Sequence, residues 1–314
     1  MKTISIVIPT FNEEPNIIPL YESIVSCLHN SLQDYSYEIL FIDNKSRDNT
    51  RNNIEILCGK DKNVKAIFNI KNFGQFSSPY YGITQAKGDC VIMMCADFQD
   101  PVEMIPVFIN EWEKGNKVIC AIKKTSKEKG ITYFLRSCYY KAIKKMSNVD
   151  QIEHFTGFGL YDRSFVDILR SLDDPTPFLR GIVAEYASDH IEIPYEQQKR
   201  RAGKTHNNFF SLYDAAMLSF TSYTKVGLRI ATLAGFLASI VAFIITLIYL
   251  VMKLIFWERF TAGTTPILIG VFLMGGIQLF FIGLMGEYIM TINSRVIKRP
   301  LVIEEKRINF IENK

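Results

Sequence analysis

One short segment of the chain combines residue types that can hold a hard cation. Residues 95–101 read Cys-Ala-Asp-Phe-Gln-Asp-Pro and follow an apolar, strand-like run. Residues two apart in an extended chain point to the same side, so we expect Asp97 and Gln99 to offer two oxygens to one ion. Mg²⁺ is commonly held by one or two protein oxygens together with phosphate and water. The segment therefore predicts a metal site whose charge would stabilise a departing diphosphate, although acidic residues also end many strands that bind nothing.

Two further polar segments follow the first two strand-like runs and could bind a nucleoside. In the segment Ile-Pro-Thr-Phe-Asn-Glu-Glu, Pro9 or Phe11 can pack on a nucleobase, and Glu13 can accept a hydrogen bond from the base or the ribose. After the second run, the carboxylate of Asp43 can accept similar hydrogen bonds. The alternative is structural: Asp43 ends a strand, and Asp48 caps the helix that follows.

A turn that contains a glycine supplies the remaining candidates. Residues 71–74 read Lys-Asn-Phe-Gly. Glycine lets the backbone approach a ligand closely, so we assign Asn72 and Gly74 to the same nucleotide-containing ligand.

The elements that must position these residues alternate between strands and helices. Apolar runs rich in β-branched residues, typical of strands buried on both faces, recur at Ile4–Ile8, Glu38–Ile42, Val64–Phe68, Cys90–Cys95 and Lys117–Ile122. Helical patterns lie between them at about Asn16–Leu28, Asn49–Leu57 and Glu103–Glu113. This alternation predicts an α/β fold with a doubly wound sheet, in which ligands bind beyond the carboxyl ends of the strands.

Composition narrows the class of protein. The 314 residues carry a formal net charge of +4 without a long basic tract, so we expect no nucleic acid as a partner. The 6 cysteines form no C-x-x-C pair, which indicates free thiols in a reducing compartment rather than disulfides. The chain opens directly on a strand-like run, and we expect no secretory signal.

The last third of the chain is predicted to cross a membrane twice. The runs Ile230–Met252 and Thr264–Met285 contain no charged residue. Each exceeds the roughly 20 residues that a helix needs to span a bilayer. We place the spans at about 230–252 and 264–288.

Flanking charge predicts the orientation of these spans. Basic residues precede the first span and follow the second one: Lys225, Arg229, Arg295, Lys298 and Arg299. The link between the spans carries Lys253 and Arg259, with Glu258 between them. The positive-inside rule then places both ends in the cytoplasm, and with them the soluble domain.

These features divide the chain into four parts. We expect a soluble domain over 1–206, a juxtamembrane amphipathic helix over 207–225, the two spans within 226–292 and a cytoplasmic tail over 293–314. Phe209, Tyr213, Ala216 and Phe220 share one face of the amphipathic helix. That helix either lies among the lipid headgroups or docks on the soluble domain.

Taken together, the four polar segments resemble the GT-A domain of glycosyltransferase family 2. The resemblance covers nearly the whole chain once the paired C-terminal spans are included. It is strongest to the polyprenyl-phosphate glycosyltransferases, the group that contains dolichyl-phosphate mannose synthase and the bactoprenol glucosyltransferases. The group's marker R-x-x-G-x-[ST]-[KH] stands here at residues 200–206, and residues 286–288 (Gly-Glu-Tyr) also match its pattern.

The resemblance implies a role for each candidate residue. The nucleotide sugar would contact Pro9, Phe11, Glu13, Asp43, Asn72, Gly74 and Asp97. The metal, Mg²⁺ or Mn²⁺, would be held by Asp97 and Gln99. The acceptor phosphate would be held by Arg136, Arg200, Lys204 and His206, and a guanidinium suits this task because its planar fork matches phosphate oxygens. A non-catalytic alternative for the basic loop at residues 200–206 is that its charges only follow the positive-inside rule beside a membrane. Asp97, Gln99, Arg136 and Arg200 would carry the catalysis.

Three positions depart from the group's pattern. Cys95 replaces the first acid of D-x-D, Asn44 replaces the second acid of D-D, and Gly157 stands where many relatives carry an acid. Glu153, Asp100 and Asp162 remain as nearby acids, and the sequence singles out none of them as a base.

The resemblance implies that a hexose is transferred, with inversion, from a UDP- or GDP-sugar to undecaprenyl phosphate at the inner membrane. Among these donors it favours one like UDP-glucose. The product would be a polyprenyl-phosphate sugar, the donor for cell-surface glycan or lipid modification such as that of lipopolysaccharide. Two alternatives stay open: a glycosyltransferase acting on a growing glycan or another lipid, and a non-catalytic scaffold that binds nucleotide sugars. Whether the chain forms a homo-oligomer is also open.

Overall fold

The computed structural model describes residues 1–124, 152–172, 174–202, 213–214, 217–218, 220–222, 226–255, 264–297 and 299–310. The strands within them are β1 (Thr3–Thr10), β2 (Ser36–Asp43), β3 (Val64–Asn69), β4 (Cys90–Met93), β5 (Val118–Lys123), β6 (Phe155–Asp162), β7 (Ile191–Tyr195) and β8 (Glu304–Ile308). The helices are α1 (Glu14–Ser31), α2 (Thr50–Lys60), α3 (Gly74–Gln85), α4 (Met104–Glu113), α5 (Arg163–Ser171), α6 (Leu179–Tyr186), α7 (Val226–Ile255) and α8 (Thr264–Val296).

The strands of the described residues form one mixed sheet in the order β7-β5-β6-β4-β1-β2-β3-β8. Strands β4, β1, β2 and β3 are parallel neighbours, and all four were predicted from the sequence. Strand β6 pairs antiparallel with both β4 and β5, and β7 pairs parallel with β5. The predicted doubly wound α/β sheet is therefore confirmed at its centre. On one side it continues through β6, which the sequence analysis did not identify, to the predicted strand β5 and then to β7, which was also not identified.

Strand β6 was not predicted because glycines interrupt its apolar pattern. Glycine is depleted in strands, and β6 contains Gly157 and Gly159. A Cβ atom at Gly159 would collide with the carbonyl oxygen of Ile119 on β5. The glycine is thus the residue that lets β5 and β6 approach each other.

Helices cover both faces of the sheet. Helices α1, α2 and α4 pack on one face, while α3, α5 and α6 pack on the other. The alternation of β1 shows how the sequence supplies both layers, because Ile4, Ile6 and Ile8 enter the first core and Val7 enters the second. The apolar face predicted for the first helix is also confirmed, since its four apolar residues are buried.

The C-terminal segment returns to the sheet after α8. Strand β8 pairs antiparallel with β3 at the sheet's edge. The side-chain amide of Asn309 donates to the carbonyl oxygens of Cys58 (2.7 Å) and Val64 (2.8 Å), which fixes the segment beyond the strand. The sequence analysis assigned this region to a tail, because residues 304–308 read Glu-Glu-Lys-Arg-Ile and have no apolar run. An edge strand needs no buried face, so such a composition is compatible with β8.

Helices α7 and α8 expose apolar side chains that a core would bury. Phe243 and Leu279 are 70% and 71% exposed. Within α8, the stretch Met274–Val296 is long and apolar enough to cross a membrane. The apolar stretch in α7, Thr232–Ile245, is shorter. The finding therefore supports one membrane-crossing helix, and the second span remains a prediction.

The described part of the predicted amphipathic helix lies against α8. The hydroxyl of Tyr213 donates to the carboxylate of Glu287 (3.1 Å), and the ring of Phe220 lies 6.3 Å from that of Tyr288. Phe209 and Ala216 lie outside the described residues. The segment thus meets α8 at the Gly-Glu-Tyr motif noted in the sequence.

Candidate active site

The polar segments after β1, β2 and β4 meet at the carboxyl edge of the parallel strands, as predicted. The geometry of the third one differs from the expectation, because β4 ends at Met93 and not at Cys95. Phe98 has a φ of 62°, so residues 97–99 form a turn rather than an extended chain. The carboxylate of Asp97 accepts from the backbone N–H of Gln99 (3.1 Å) within this turn. The argument that Asp97 and Gln99 point the same way from an extended strand was therefore wrong.

Arg200 joins two of the predicted carboxylates. Its guanidinium lies 3.2 Å from Glu13 and 3.1 Å from Asp97, and both carboxylates are almost completely buried. Buried carboxylates keep their charge only when they are paired or hydrogen-bonded. The structure thus brings Glu13, Asp97 and Arg200 into one cluster. The sequence analysis assigned Glu13 and Asp97 to the nucleotide sugar, Asp97 also to the metal, and Arg200 to the acceptor phosphate.

The loop that carries Arg200 is docked on the turn that carries Asp97. The backbone N–H of Gln198 donates to the carbonyl of Gln99 (3.2 Å), and that of Arg201 donates to the carbonyl of Asp97 (3.3 Å). The guanidinium of Arg201 also lies 5.1 Å from the centre of the Phe98 ring, a cation–π distance. Two separate parts of the sequence thereby form one wall of the site.

Asn16 is a residue of the site that sequence reasoning missed. It is fully buried, and its amide donates to Glu13 (2.6 Å) and to the carbonyl of Ala202 (3.4 Å). It therefore holds the Glu13 carboxylate and the docked loop at once. The available signal was its position three residues after Glu13 in the first turn of α1, a spacing at which side chains meet.

Asp43 is oriented toward its own loop. Its side chain is fully buried and accepts from both the backbone N–H (3.1 Å) and the hydroxyl of Ser46. Burial raises the pKa of Asp43, while the hydrogen bonds from Ser46 and the charge of Arg51 act in the opposite direction. Ser46 in turn accepts from the N–H of Asn12 (2.9 Å), which ties the segments after β1 and β2 together. In this arrangement Asp43 shapes the loop on the proposed nucleoside side.

The departure at Asn44 has a structural reason. Its side-chain oxygen accepts from the N–H of Phe73 (2.9 Å) and the amide of Asn69 (3.0 Å), while its own amide donates to the carbonyl of Gly74 (3.0 Å). A carboxylate cannot make the last bond because it has no donor. The amide thus fixes the turn that holds Asn72, whose oxygen accepts from the N–H of Gly74 (2.7 Å).

Two of the acids left open as bases have structural partners. Asp100 accepts from the N–H of Cys95 (2.9 Å) and the hydroxyl of Tyr195 (3.2 Å), and burial raises its pKa. Burial also acts to raise the pKa of Asp162, but hydrogen bonds from Ser164 and Trp112 outweigh it and hold that pKa below its usual range. Asp162 accepts from the indole N–H of Trp112 (2.8 Å) and caps α5. Glu153 is exposed and precedes β6.

Gly157 adopts a conformation that suits glycine. Its φ is 101°, and a Cβ atom there would lie 2.7 Å from the terminal methyl of Met93. An acidic side chain at this position would need both a strained backbone and a displaced neighbour. The chain has therefore adapted this position to a residue without a side chain.

The five described cysteines are free thiols, as predicted. Cys58, Cys90 and Cys120 are buried, which agrees with their expected role as small apolar residues. Cys95 differs, because it is exposed at the site next to Asp97. Cys138 lies outside the described residues.

The remaining predicted residues add less to the cluster. Pro9 and Phe11 are partly exposed at and beyond the end of β1, where a base could pack on them. Arg136, Lys204 and His206 lie outside the described residues, and their assignments to the acceptor phosphate remain predictions.

The residues at the turn fit a divalent ion of the Mg²⁺ type. The described residues contain no group of three or more His, Cys, Asp or Glu side chains that could hold a metal. Mg²⁺ and Mn²⁺ do not need such a cage when substrate phosphates and water complete their coordination. The guanidinium of Arg200 between Glu13 and Asp97 shows that this position accommodates a positive charge. Asp97 would supply a carboxylate oxygen, and the assignment of Gln99 as the second ligand remains a prediction.

Known proteins are similar to this chain in sequence and in fold. The family model of glycosyl transferase family 2 matches residues 5–169. The chain is 31% identical over 301 residues to the prophage bactoprenol glucosyl transferase homolog of Escherichia coli (strain K12), covering 96% of this chain and 97% of that protein. It is 30% identical over 304 residues to the SfII prophage-derived bactoprenol glucosyl transferase of Shigella flexneri, covering 96% and 97%.

Solved structures with the same architecture have lower sequence identity. Glucosyl-3-phosphoglycerate synthase from Mycobacterium tuberculosis is 15% identical, with a TM-score of 0.51 over 70% of this chain and 78% of that one. Mannosyl-3-phosphoglycerate synthase from Rubrobacter xylanophilus is also 15% identical, with a TM-score of 0.51 over 74% and 75%. These structures support the fold alone. With the mixed sheet and the family match over residues 5–169, the chain belongs to glycosyl transferase family 2 and has a GT-A fold.

Proposed function

We propose that this protein is an inverting glycosyltransferase that moves a hexose from a nucleotide sugar to a polyprenyl phosphate. The observation that carries the proposal is the cluster of Glu13, Asp97 and Arg200 at the carboxyl edge of the sheet. It combines carboxylates suited to a nucleoside and a cation with a guanidinium suited to a phosphate. The similar proteins described as bactoprenol glucosyl transferases support a lipid phosphate as the acceptor.

The chemistry of a phosphate acceptor agrees with the roles of the nearby acids. A phosphate monoester has a second pKa of about 6 and is mostly dianionic at pH 7. One phosphate oxygen forms the bond to the anomeric carbon as that carbon's bond to the diphosphate breaks, and the electron pair leaves with the nucleoside diphosphate. No proton has to be removed from such a nucleophile. The reaction therefore does not need Asp100 or Asp162 as a general base, which agrees with their structural hydrogen bonds.

Arg200 has a different partner at each stage of this scheme. In the structure its guanidinium pairs with Glu13 and Asp97. Binding of the nucleotide sugar would release Arg200 toward the acceptor phosphate, where Arg136 is also proposed to act. A bound Mg²⁺ or Mn²⁺ would supply positive charge for the leaving diphosphate.

We propose UDP-glucose as the donor, since the named relatives are glucosyl transferases. The experiment is a panel of UDP- and GDP-sugars offered to the full-length protein with undecaprenyl phosphate and Mn²⁺, with release of the nucleoside diphosphate as the readout. Release that requires both substrates supports the proposal. Binding without turnover for every sugar would indicate the non-catalytic scaffold instead.

The membrane arrangement we propose has both ends in the cytoplasm. It rests on the exposed apolar faces of α7 and α8 and on the basic residues that flank the two runs. A cysteine introduced at Thr261, in the link between the spans, should react in intact cells with a membrane-impermeant thiol reagent. Labelling that appears only after lysis would mean that the link lies in the cytoplasm.

A further inference from the structure

The C-terminal segment places one carboxylate beside the proposed nucleoside loop. Glu305 on β8 lies 2.6 Å from the ammonium of Lys45 and 3.1 Å from the guanidinium of Arg51. Lys45 belongs to the loop between β2 and α2, and Arg51 lies in the first turn of α2. Glu305 therefore joins two cations that flank the loop following Asp43.

Arg51 continues this contact to Asp43. Its Nε atom lies 3.6 Å from the Asp43 carboxylate, which is fully buried, and its guanidinium also lies 4.9 Å from the centre of the Phe68 ring. Asp43 then holds Ser46 through two hydrogen bonds. A chain of charge contacts thus runs from β8 through α2 to the carboxylate that shapes the loop.

The position of Glu305 is fixed by contacts of the two residues that precede it. The N–H of Ile70 donates to the carbonyl of Ile303 (3.1 Å), and the hydroxyl of Tyr81 donates to Glu304 (2.8 Å). Hydrogen bonds from Lys45 and Arg51 also lower the pKa of Glu305, so its negative charge persists at neutral pH. Only a short segment separates β8 from the end of α8.

We propose that Glu305 is a positioning residue for the donor site, acting through Lys45 and Arg51 to hold the loop that follows Asp43. The inference rests on the proposed function, in which this loop faces the nucleoside. It assigns the segment after the last membrane helix a part in donor binding.

The test compares Glu305→Gln with Lys306→Gln in the full-length protein. Lys306 is the matched control, because it lies on the same strand and pairs with Glu55 (3.2 Å) away from the loop. UDP and GDP are the binding probes, and turnover is measured with undecaprenyl phosphate. Networks of exposed charges contribute modestly, so we expect Glu305→Gln to raise the nucleotide Kd and the donor KM by about three- to tenfold. The kcat and the acceptor KM should stay within about twofold of wild type, as should all constants of Lys306→Gln.

A second variant separates positioning from a general loss of structure. In Arg51→Gln, the path from Glu305 to Asp43 is already cut, so adding Glu305→Gln should weaken nucleotide binding by less than it does alone. Additive effects of the two changes, or unchanged nucleotide binding in Glu305→Gln, would overturn the inference. A wild-type protein that binds neither UDP nor GDP would instead refute the proposed function, and the inference with it.

Discussion

Arg200 and Asp97 form an ion pair with 3.1 Å between Nη2 and Oδ2, and the same guanidinium reaches Glu13 at 3.2 Å. A protein cation thus lies where the proposed metal and diphosphate would bind. In the proposed function, metal and arginine would compete for the same carboxylate, and the released arginine would then be available to the acceptor phosphate. This competition makes the two roles of Arg200 separable by experiment.

Arg200→Ala should lower transfer and strengthen metal binding. Charge-assisted hydrogen bonds contribute about 1.5–3 kcal/mol, so turnover with undecaprenyl phosphate should fall by about ten- to a hundredfold. Without the competing guanidinium, Mn²⁺ should raise the melting temperature of the variant more than that of wild type. Lysine at this position should restore only part of the transfer, because the planar fork is lost.

Arg201→Ala is the matched control for this prediction. Arg201 is the next residue and stacks on Phe98, but its described contacts do not involve the Asp97 carboxylate. Its removal should leave the Mn²⁺ response at the wild-type value. An equal Mn²⁺ response in Arg200→Ala and wild type would contradict the competition between arginine and metal.

Asp97→Asn should abolish most of the activity without unfolding the protein. The amide keeps the size of the side chain but removes the charge proposed to bind the metal. We expect turnover to fall by at least about a hundredfold, or roughly 2.7 kcal/mol. The rise in melting temperature that Mn²⁺ causes in wild type should also be lost. Cys95→Ser, two residues away, should retain substantial activity and the Mn²⁺ response. Full activity of Asp97→Asn would exclude it as a metal ligand.

Asn44→Asp should destabilise the protein in a pH-dependent manner. The new carboxylate would face the carbonyl of Gly74 without a donor, a loss of about 1–3 kcal/mol. Its protonated form can donate, so folding should raise the pKa of the new carboxyl. Stability is then greatest below the unfolded pKa of about 3.9 and falls as pH rises through the folded pKa. Chemical denaturation of the variant at acidic and neutral pH, each relative to wild type, measures the difference.

Asn72→Asp provides the comparison, because Asn72 uses its oxygen to accept from Gly74 in the contact that the structure describes. A carboxylate can make the same bond. Because this bond favours the charged form and lowers the pKa of the new carboxyl, the stability of Asn72→Asp relative to wild type should not fall between acidic and neutral pH. If both variants behave alike, the donor role of the Asn44 amide is wrong.

Gly157→Asp should not create a useful general base. The side chain would meet Met93, and a φ of 101° is strained for any residue with a Cβ. We expect lower stability and no gain in turnover, as judged by the melting temperature and initial rates. A rate above wild type would show that the site lacks a base that the reaction needs.

The centre of the fold was predictable because its strands are buried on both faces and read as apolar runs. Of the outer strands, β5 was also predicted from its apolar run, whereas β6 and β8 were not, and for different reasons. Strand β6 depends on glycine for close packing against Ile119, and β8 is an exposed edge strand of charged residues. The two helices of the C-terminal region follow from their uncharged length. Their crossing of a membrane is supported for one of them.

The site residues were largely identifiable, but their partners were not. Glu13, Asp97 and Arg200 were singled out by type and motif, yet residues 13 and 200 become neighbours only through the docking of a loop whose backbone pairs with residues 97–99. The roles of Asn16 and Asn44 depend on amide hydrogen bonds to carbonyl groups that are distant in sequence. Such bonds leave no periodic signal in a single chain.

The most direct test of the proposed function offers the enzyme undecaprenyl phosphate and undecaprenol in parallel, with the same nucleotide sugar and Mn²⁺. The two acceptors share the lipid chain and differ in the phosphate, which is the proposed nucleophile. We predict release of the nucleoside diphosphate with undecaprenyl phosphate and none above background with undecaprenol. Efficient transfer to undecaprenol would contradict a base-free reaction at a lipid phosphate, because an alcohol of this kind needs a base to accept its proton.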